Sequence, residues 1–451
     1  MNSSAIRAAL LLAALVFSAA GFAPGEASAY TLKTLYSFCP AGGRCKDGNG
    51  PGPLVSDASG NLFGTAVQGG KYGVSGVVFE LVPNADKSAW TYVVLHLFCP
   101  ARGCPDGKNP VGKLVVDTQG NLYGVTTAGG SGHGTAFKLS PGSPWQLTTI
   151  HSFCGRAGCA DGGLPDAGLT YVGAASGALY DGTSPLYGTT LQGGNSRGQG
   201  TIFKLIPKQG RFVERVIYKF CSLANCADGY LPTASLLADT SGNLYGTTTA
   251  GGTANRGTVF ELSRTAKKQW SQTVLYSFCL QNNCTDGAVP EAELLMDSSG
   301  NLFSTTGAGG SGTNCPSDEG CGTAFKIVPN GAASTESVLY NFCSASDCAD
   351  GSEPFAAGLV VDGSGNLFST TVQGGGNDGD FVRGGGTIYQ LNGTTEQVLY
   401  AFCAQSGCTD GSGPIGSLIR DSSGNLFGVT SEGGSGKGAN GGAGTVFELS
   451  P

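Results

Sequence analysis

Charge is scarce in this 451-residue sequence: Asp, Glu, Lys and Arg make up only 13% of it. The 25 basic residues form no stripe, and the formal net charge is −7. A surface built to neutralise phosphates is therefore excluded, and nucleic acid and anionic membranes with it as partners. Histidine is nearly missing, at three residues, which leaves little for zinc or for acid–base chemistry. No H-E-x-x-H, G-x-S-x-G or D-x-D-x-D-G segment occurs, so the motifs of zinc proteases, serine hydrolases and EF-hand calcium loops are absent. Beyond residue 29 no apolar run reaches the 18 residues of a membrane span. No segment after that point carries a helical period.

What is abundant is glycine, at 77 residues, and cysteine, at 16, against a hydrophobic fraction of 40%. Glycine at this level without a G-x-y period excludes collagen. The apolar residues recur in ordered blocks, so an all-β fold with many turns is expected. Residues 1–29 read as a secretory signal peptide: Arg7, an apolar run from Ala8 to Ala20, and an A-x-A site at Ala27-Ser28-Ala29. The expected mature domain is residues 30–451, secreted or periplasmic, without membrane insertion after cleavage, and monomeric. An even number of cysteines in an exported chain implies disulfides.

One repeat dominates the chain. The motif F-C-x4-C-x-D-G begins at Phe38, Phe98, Phe153, Phe220, Phe278, Phe342 and Phe402, and only the first copy is irregular, with five residues between Cys39 and Cys45. The fourth unit shows the anatomy. Val216-Ile217-Tyr218-Lys219-Phe220 is a β-rich run, followed after the cysteine loop by Ser235-Leu236-Leu237-Ala238. The turn Asp239-Thr240-Ser241-Gly242-Asn243 leads to Leu244-Tyr245-Gly246-Thr247-Thr248, and Gly257-Thr258-Val259-Phe260-Glu261-Leu262 closes the unit. Short alternating runs bounded by Gly, Asp and Asn are strands. Seven units of four antiparallel strands predict a seven-bladed β-propeller.

The phase of the repeat predicts how the ring closes. We letter the strands A to D outward from the channel, with A following the cysteine loop. The last unit supplies A, B and C, ending in Gly444-Thr445-Val446-Phe447-Glu448-Leu449, while Thr31-Leu32-Lys33-Thr34-Leu35-Tyr36 is a spare strand D. The N-terminal strand should complete the last blade and so remove the open edge.

The pattern Tyr245-Gly246-Thr247-Thr248 with Gly257-Thr258-Val259-Phe260, repeated at Tyr187-Gly188-Thr189-Thr190 with Gly200-Thr201-Ile202-Phe203, resembles the GloVer-type "choice-of-anchor" tandem-repeat family of bacterial exported proteins. The resemblance spans the mature chain. It implies an exported or surface-displayed propeller and no catalytic residues. The sequence shows no anchor segment, so secretion or a periplasmic location is expected in place of surface attachment.

The cysteines fall into loop pairs: Cys39 with Cys45, Cys99 with Cys104, Cys154 with Cys159, Cys221 with Cys226, Cys279 with Cys284, Cys343 with Cys348, and Cys403 with Cys408. A further pair, Cys315 and Cys321, stands in a glycine-rich loop. Each pair is expected to close a small disulfide ring; a zinc reading needs pairs of pairs, which blades hold apart. The Asp-Gly steps at Asp47, Asp106, Asp161, Asp228, Asp286, Asp350 and Asp410 form a candidate ligand-facing ring for cations or sugar hydroxyls. Alternatively each is a turn, and occurrence in every unit favours the turn. The D-x-x-G-N segments at Asp57, Asp117, Asp239, Asp297, Asp362 and Asp421 read as hairpin turns. Residues 374–380 resemble a single glycine-rich calcium repeat. His96 and His151 stand where other units have tyrosine, and Trp90, Trp145 and Trp270 precede strand D. Both sets read as packing.

Strand alternation puts the D–A cysteine loops and the B–C loops on one face. Irregular insertions at 310–322, 374–386 and 433–444 are all B–C, which marks that face for binding; the insertion at 171–185 is an A–B turn on the opposite face. Two functions remain open. One is a non-enzymatic binding or scaffold protein for a glycan or protein, with no cofactor. The other is a carbohydrate-active enzyme whose carboxylates come from different blades.

Overall fold

The computed structural model describes residues 30–315, 319–355, 357–376, 384–437 and 442–451. The expected signal peptide lies outside them, as do Asp378 and Asp380 of the calcium-like segment and parts of all three B–C insertions. Among the described residues no helix is long and apolar enough to cross a membrane, and the helical elements are 3₁₀ turns of three residues.

The described strands form seven antiparallel sheets arranged as blades. Blades 1 to 6 occupy residues 49–97, 108–152, 170–219, 237–277, 295–341 and 360–401 in turn. Blade 7 combines residues 412–450 with Thr31–Ser37, whose register runs from Thr31 opposite Ser450 to Ser37 opposite Thr445. The ring is closed by head meeting tail. In blade 1 strand A is split into Asn49–Pro51 and Val55–Ser56. Blade 3 departs from four full strands: its sheet has three, and strand A shrinks to a single bridge between Thr170 and Tyr187. The 171–185 insertion takes the place where the A–B hairpin would otherwise tighten.

The repeated residues explain the repeated geometry. Strand C buries its Thr-x-Phe-x-Leu face, and the motif phenylalanine packs edge-on against the strand C aromatic of the next blade, as in Phe220 on Phe260 (5.4 Å, 67°) and Phe278 on Phe325 (5.0 Å, 66°). Seven such aromatic contacts, six edge-on and the Phe402–Phe447 pair tilted, supply much of the core between blades. The tryptophans also bridge blades: Trp90 sits 6.0 Å from Phe427, and Trp270 6.3 Å from Tyr187.

A backbone clasp joins every neighbouring pair of blades. Gly50, Asn109, Leu164, Leu231, Val289, Glu353 and Gly413 each donate an N–H to a B–C loop carbonyl of the preceding blade, at Ala443, Ser75, His133, Gln199, Arg256, Cys321 and Gly385 respectively. All seven donors have positive φ, between 54° and 66°. For Leu and Val this backbone is strained. Its recurrence shows how strongly ring packing dictates the local conformation.

Candidate functional site

Each cysteine loop is a closed structural unit. The structure pairs the cysteines as the spacing predicts: Cys39 is bonded to Cys45, Cys99 to Cys104, Cys154 to Cys159 and Cys221 to Cys226. Cys279 is bonded to Cys284, Cys343 to Cys348 and Cys403 to Cys408, and Cys315 joins Cys321 in the B–C loop of blade 5. The seven loop pairs have Cα–Cα separations of 4.0–4.4 Å. Both cysteines of every loop pair adopt positive φ, so that Cys104, Cys284, Cys348 and Cys408 turn the chain back toward the Asp-Gly step at φ between 48° and 53°. The sulfur groupings around His133 and Cys343 that could resemble metal sites consist of sulfurs already engaged in these disulfides.

The seven Asp-Gly carboxylates turn inward. Asp228 accepts from the Tyr218 hydroxyl at 2.8 Å and from the amides of Ser222 (2.8 Å) and Leu223 (3.1 Å). Asp286, Asp350 and Asp410 repeat this with Tyr276, Tyr340 and Tyr400, each at 2.8 Å, and Asp47 does so with Tyr36. His96 and His151 replace the tyrosine and approach Asp106 at 2.9 Å and Asp161 at 3.4 Å. Asp161, Asp228, Asp286, Asp350 and Asp410 are buried. The candidate ligand-facing ring is thus placed as seven separate turns, with the carboxylates occupied by their own loops. Burial and the hydrogen-bonded aspartate raise the Tyr218 pKa. The following glycine completes the device: Gly229 has φ +83°, and a Cβ there would stand 2.4 Å from Thr248 Oγ1. That hydroxyl is in turn paired with Thr258 Oγ1 at 2.8 Å.

The D-x-x-G-N segments are Asx hairpin turns. Asp239 Oδ1 accepts from the Ser241 and Asn243 amides, and Oδ2 from the Asn243 side chain at 2.8 Å.

Symmetry breaks along the channel wall. The residue before the first buried leucine of strand A is Pro53, Lys113, Gly168, Ser235, Glu293, Gly358 and Ser417 in blades 1 to 7. Glu293 accepts a 2.5 Å hydrogen bond from Ser417 of blade 7, and its carboxylate lies 4.0 Å from Lys113 Nζ of blade 2. Blades 2, 5 and 7 are not neighbours, so these contacts span the channel and close its waist. The small residues Gly168 and Gly358 leave room: a Cβ on Gly358 would meet Glu293 Cγ and Ser417 Oγ at 2.5 Å.

Below the waist, at the mouth formed by the A–B turns, lies a cavity of about 610 Å³ to which all seven blades contribute. Its rim is apolar, including Val55, Val115, Leu237, Leu295 and Val360, and Lys113 and Glu293 form its floor. A second cavity of about 760 Å³ opens between blades 2 and 3, lined by Tyr123, Phe212, Thr148, Thr149, Lys138 and Gln209 among others. Residues from A–B and C–D turns line it, so both cavities belong to the same face.

The insertion joins them. Residues 174–179 line the first cavity and Gly182 and Thr183 the second. It is anchored by Tyr180, which is fully buried, exchanges backbone hydrogen bonds with Val116 and Thr118 of blade 2, and meets the Tyr123 ring edge-on at 5.3 Å. Three of the four irregular insertions of the sequence lie on the opposite face, whereas both cavities open on the face of the 171–185 insertion.

On the cysteine-loop side of the waist, Asp166 of blade 3 and Glu291 of blade 5 feel each other across the channel. Burial pushes the Asp166 carboxyl up to about 6. Glu291 is raised by burial and by Asp166. Among the described residues Asp166 has no hydrogen-bond or ion-pair partner, and neither acid lines either cavity.

No curated protein matches the sequence. Among solved structures, Trypanosoma rangeli sialidase aligns at 11% identity and a TM-score of 0.41, over 95% of this chain and 59% of the sialidase; this chain thus spans about three fifths of that protein. The β-propeller domain of Myceliophteria thermophila Cps50 (Swd1) aligns at 11% identity and 0.47, over 90% and 97%. Puromycin hydrolase aligns at 11% and 0.48, over 88% and 52%. The Gloeobacter/Verrucomicrobia repeat matches residues 25–185 and 173–315, more than half of the sequence. With the repeat seen in every blade, the chain belongs to the Gloeobacter/Verrucomicrobia repeat family.

Proposed function

We propose that this protein is an exported, non-enzymatic binding propeller that takes an oligosaccharide on the face carrying the A–B turns. A disulfide-stapled propeller fits an exported scaffold or binding protein, since eight disulfides belong in an oxidising compartment. The observation that carries the finer reading is that both cavities open on one face and share the 171–185 insertion. The second cavity sets the half-buried Phe212 ring, backed by the buried Tyr123, beside hydroxyl, amide and ammonium groups. That mixture suits a sugar, which offers C–H faces to rings and hydroxyls to polar groups. In this reading the protein works as a secreted or periplasmic monomer and engages neither nucleic acid nor bilayer.

The test is retention of the purified protein on plant and bacterial polysaccharides, with reducing-end release measured in parallel. Retention without release is expected, and Phe212→Ala should weaken it by roughly tenfold, the loss of one buried aromatic contact. Retention indifferent to both Phe212→Ala and Tyr171→Ala would overturn the assignment of the face.

The enzymatic reading has one observation in its favour: Asp166 and Glu291 are acids from different blades with raised pKa values. It predicts turnover that Asp166→Asn abolishes.

A further inference from the structure

The outer strands carry a position whose role is constant while its side chain varies. Four residues before the motif Tyr or His stand Leu32, Tyr92, Leu147, Glu214, Gln272, Glu336 and Glu396. Their register is common: Tyr92 lies opposite Leu81, Gln272 opposite Leu262, Glu336 opposite Ile327 and Glu396 opposite Leu391. In blade 1 the Tyr92 hydroxyl donates to the carbonyl of Asp47. In blade 4 the Gln272 amide donates to the carbonyl of Asp228 at 2.9 Å. Each thereby ties the outer strand to the Asp-Gly turn of the preceding cysteine loop.

At the same register, Glu336 and Glu396 face Asp286 and Asp350. Their Oε1 atoms are buried and, as acceptors, have no donor. A carboxylate at a position whose neighbours are a carbonyl and an aspartate is repelled; a carboxylic acid there is a donor like the tyrosine and the glutamine. We propose that Glu336 and Glu396 are held as neutral acids that donate to the Asp286 and Asp350 carbonyls, so that protonation clamps the outer strands of blades 5 and 6 to their loops and deprotonation releases them.

The surroundings agree. Glu336 faces Asp286 and the Tyr276 hydroxyl; burial first and then Asp286 push its carboxyl up to about 7. Glu396 faces Asp350, Tyr340 and Tyr389, and burial and then Asp350 push it up to about 8. Glu214, at the same register opposite Leu205, differs. It faces Asp161 and Arg215 and is met by Arg156 at 2.9 Å; burial pushes its carboxyl up to about 7 while Arg156 pulls the other way. The clamp is proposed only for blades 5 and 6, where the glutamate has no ion pair among the described residues. A carboxyl with a raised folded-state pKa binds more protons folded than unfolded. Its stabilisation is complete below the unfolded value near 4.5 and is lost as pH rises toward 8.

The experiment is thermal unfolding of the disulfide-intact protein between pH 4 and 9, wild type against Glu336→Gln/Glu396→Gln. Glutamine is the donor blade 4 already uses, so the variant keeps the clamp without titrating. The two should melt together at about pH 4.5, with the variant higher by roughly 3 °C or more at pH 8. Asp166, Glu291 and Glu214 titrate in both proteins and cancel in the difference. The infrared band of protonated carboxyl groups at pH 6 should also shrink in the variant. Parallel melting profiles with an unchanged band would overturn the proposal. If the glutamine pair folds poorly, Glu336→Leu/Glu396→Leu, the side chain of blade 2, must show the same flattened pH profile, and a wild-type slope in that variant would overturn it equally.

Discussion

The cysteine-loop ring and the channel wall are built from the same seven units, yet they treat repetition in opposite ways. In the loops every blade has the same disulfide, the same inward aspartate and the same Asp-Gly step, and the ring holds at every interface by the same backbone clasp. Along the wall the equivalent position runs Pro, Lys, Gly, Ser, Glu, Gly, Ser, and no two neighbouring blades agree. The lesson is about where information sits. A feature present seven times supports closure of the ring, whereas recognition needs a unique arrangement, which arises where the units differ. The cavity bounded by Lys113 and Glu293 and the insertion of blade 3 are such places.

The comparison breaks most severely at a loop aspartate. Asp228→Ala removes three hydrogen bonds, leaving two amides unsatisfied and the half-buried Tyr218 hydroxyl with only its 3.4 Å contact to Gln272, so a loss of about 3 kcal/mol is expected in chemical denaturation. Removing one staple should cost less. The ring between Cys221 and Cys226 is short, so Cys221→Ala/Cys226→Ala should lose about 2 kcal/mol by loop-closure entropy. Reversing their order would show that the disulfide, and not the aspartate, sets the loop.

A third variant sharpens the clasp in the opposite direction. Val289 holds φ +59° because its N–H must reach Arg256 O at 2.9 Å. Val289→Gly relieves a β-branched residue in the left-handed region, worth about 1 kcal/mol, against a similar entropic penalty for glycine. A change within about 1 kcal/mol, detectably smaller than any effect of the same substitution in a regular strand such as at Val259, is the expected result.

These elements differ in how far the sequence betrayed them. The blades were legible because each is announced by turn chemistry: Phe-Cys before the loop, Asp-Gly within it, Asp-x-x-Gly-Asn at the hairpin. The disulfides were legible for the same reason, since a second cysteine such as Cys104, Cys284, Cys348 or Cys408 stands too close to its partner for any other blade to compete. Ring closure followed from counting strands at both ends. The clasp was hidden, since Gly50, Asn109, Leu164, Leu231, Val289, Glu353 and Gly413 share no side-chain type; only the proline after each one is constant. The waist was hidden for another reason. Lys113, Glu293 and Ser417 are unremarkable where they stand in the sequence, and only the folded ring brings blades 2, 5 and 7 to one axis. Blade 3 lost its strand A to an insertion that was visible, but its place beside two cavities depends on the packing of Tyr180, which no local pattern reports.

The gentlest variant tests whether the wall is for recognition. Glu293→Gln keeps an acceptor for Ser417 and nearly the same volume beside Gly358, but removes the charge facing Lys113. That pair is separated by 4.0 Å and partly open to solvent, so the stability change should stay within about 0.5 kcal/mol. If the cavity that this pair closes at its inner end takes the ligand, neutralising Glu293 leaves Lys113 as an unanswered cation there, and affinity for polysaccharide must shift while the melting temperature does not. A variant that loses stability and keeps affinity would make the waist one more structural tie, of the same kind as the loops.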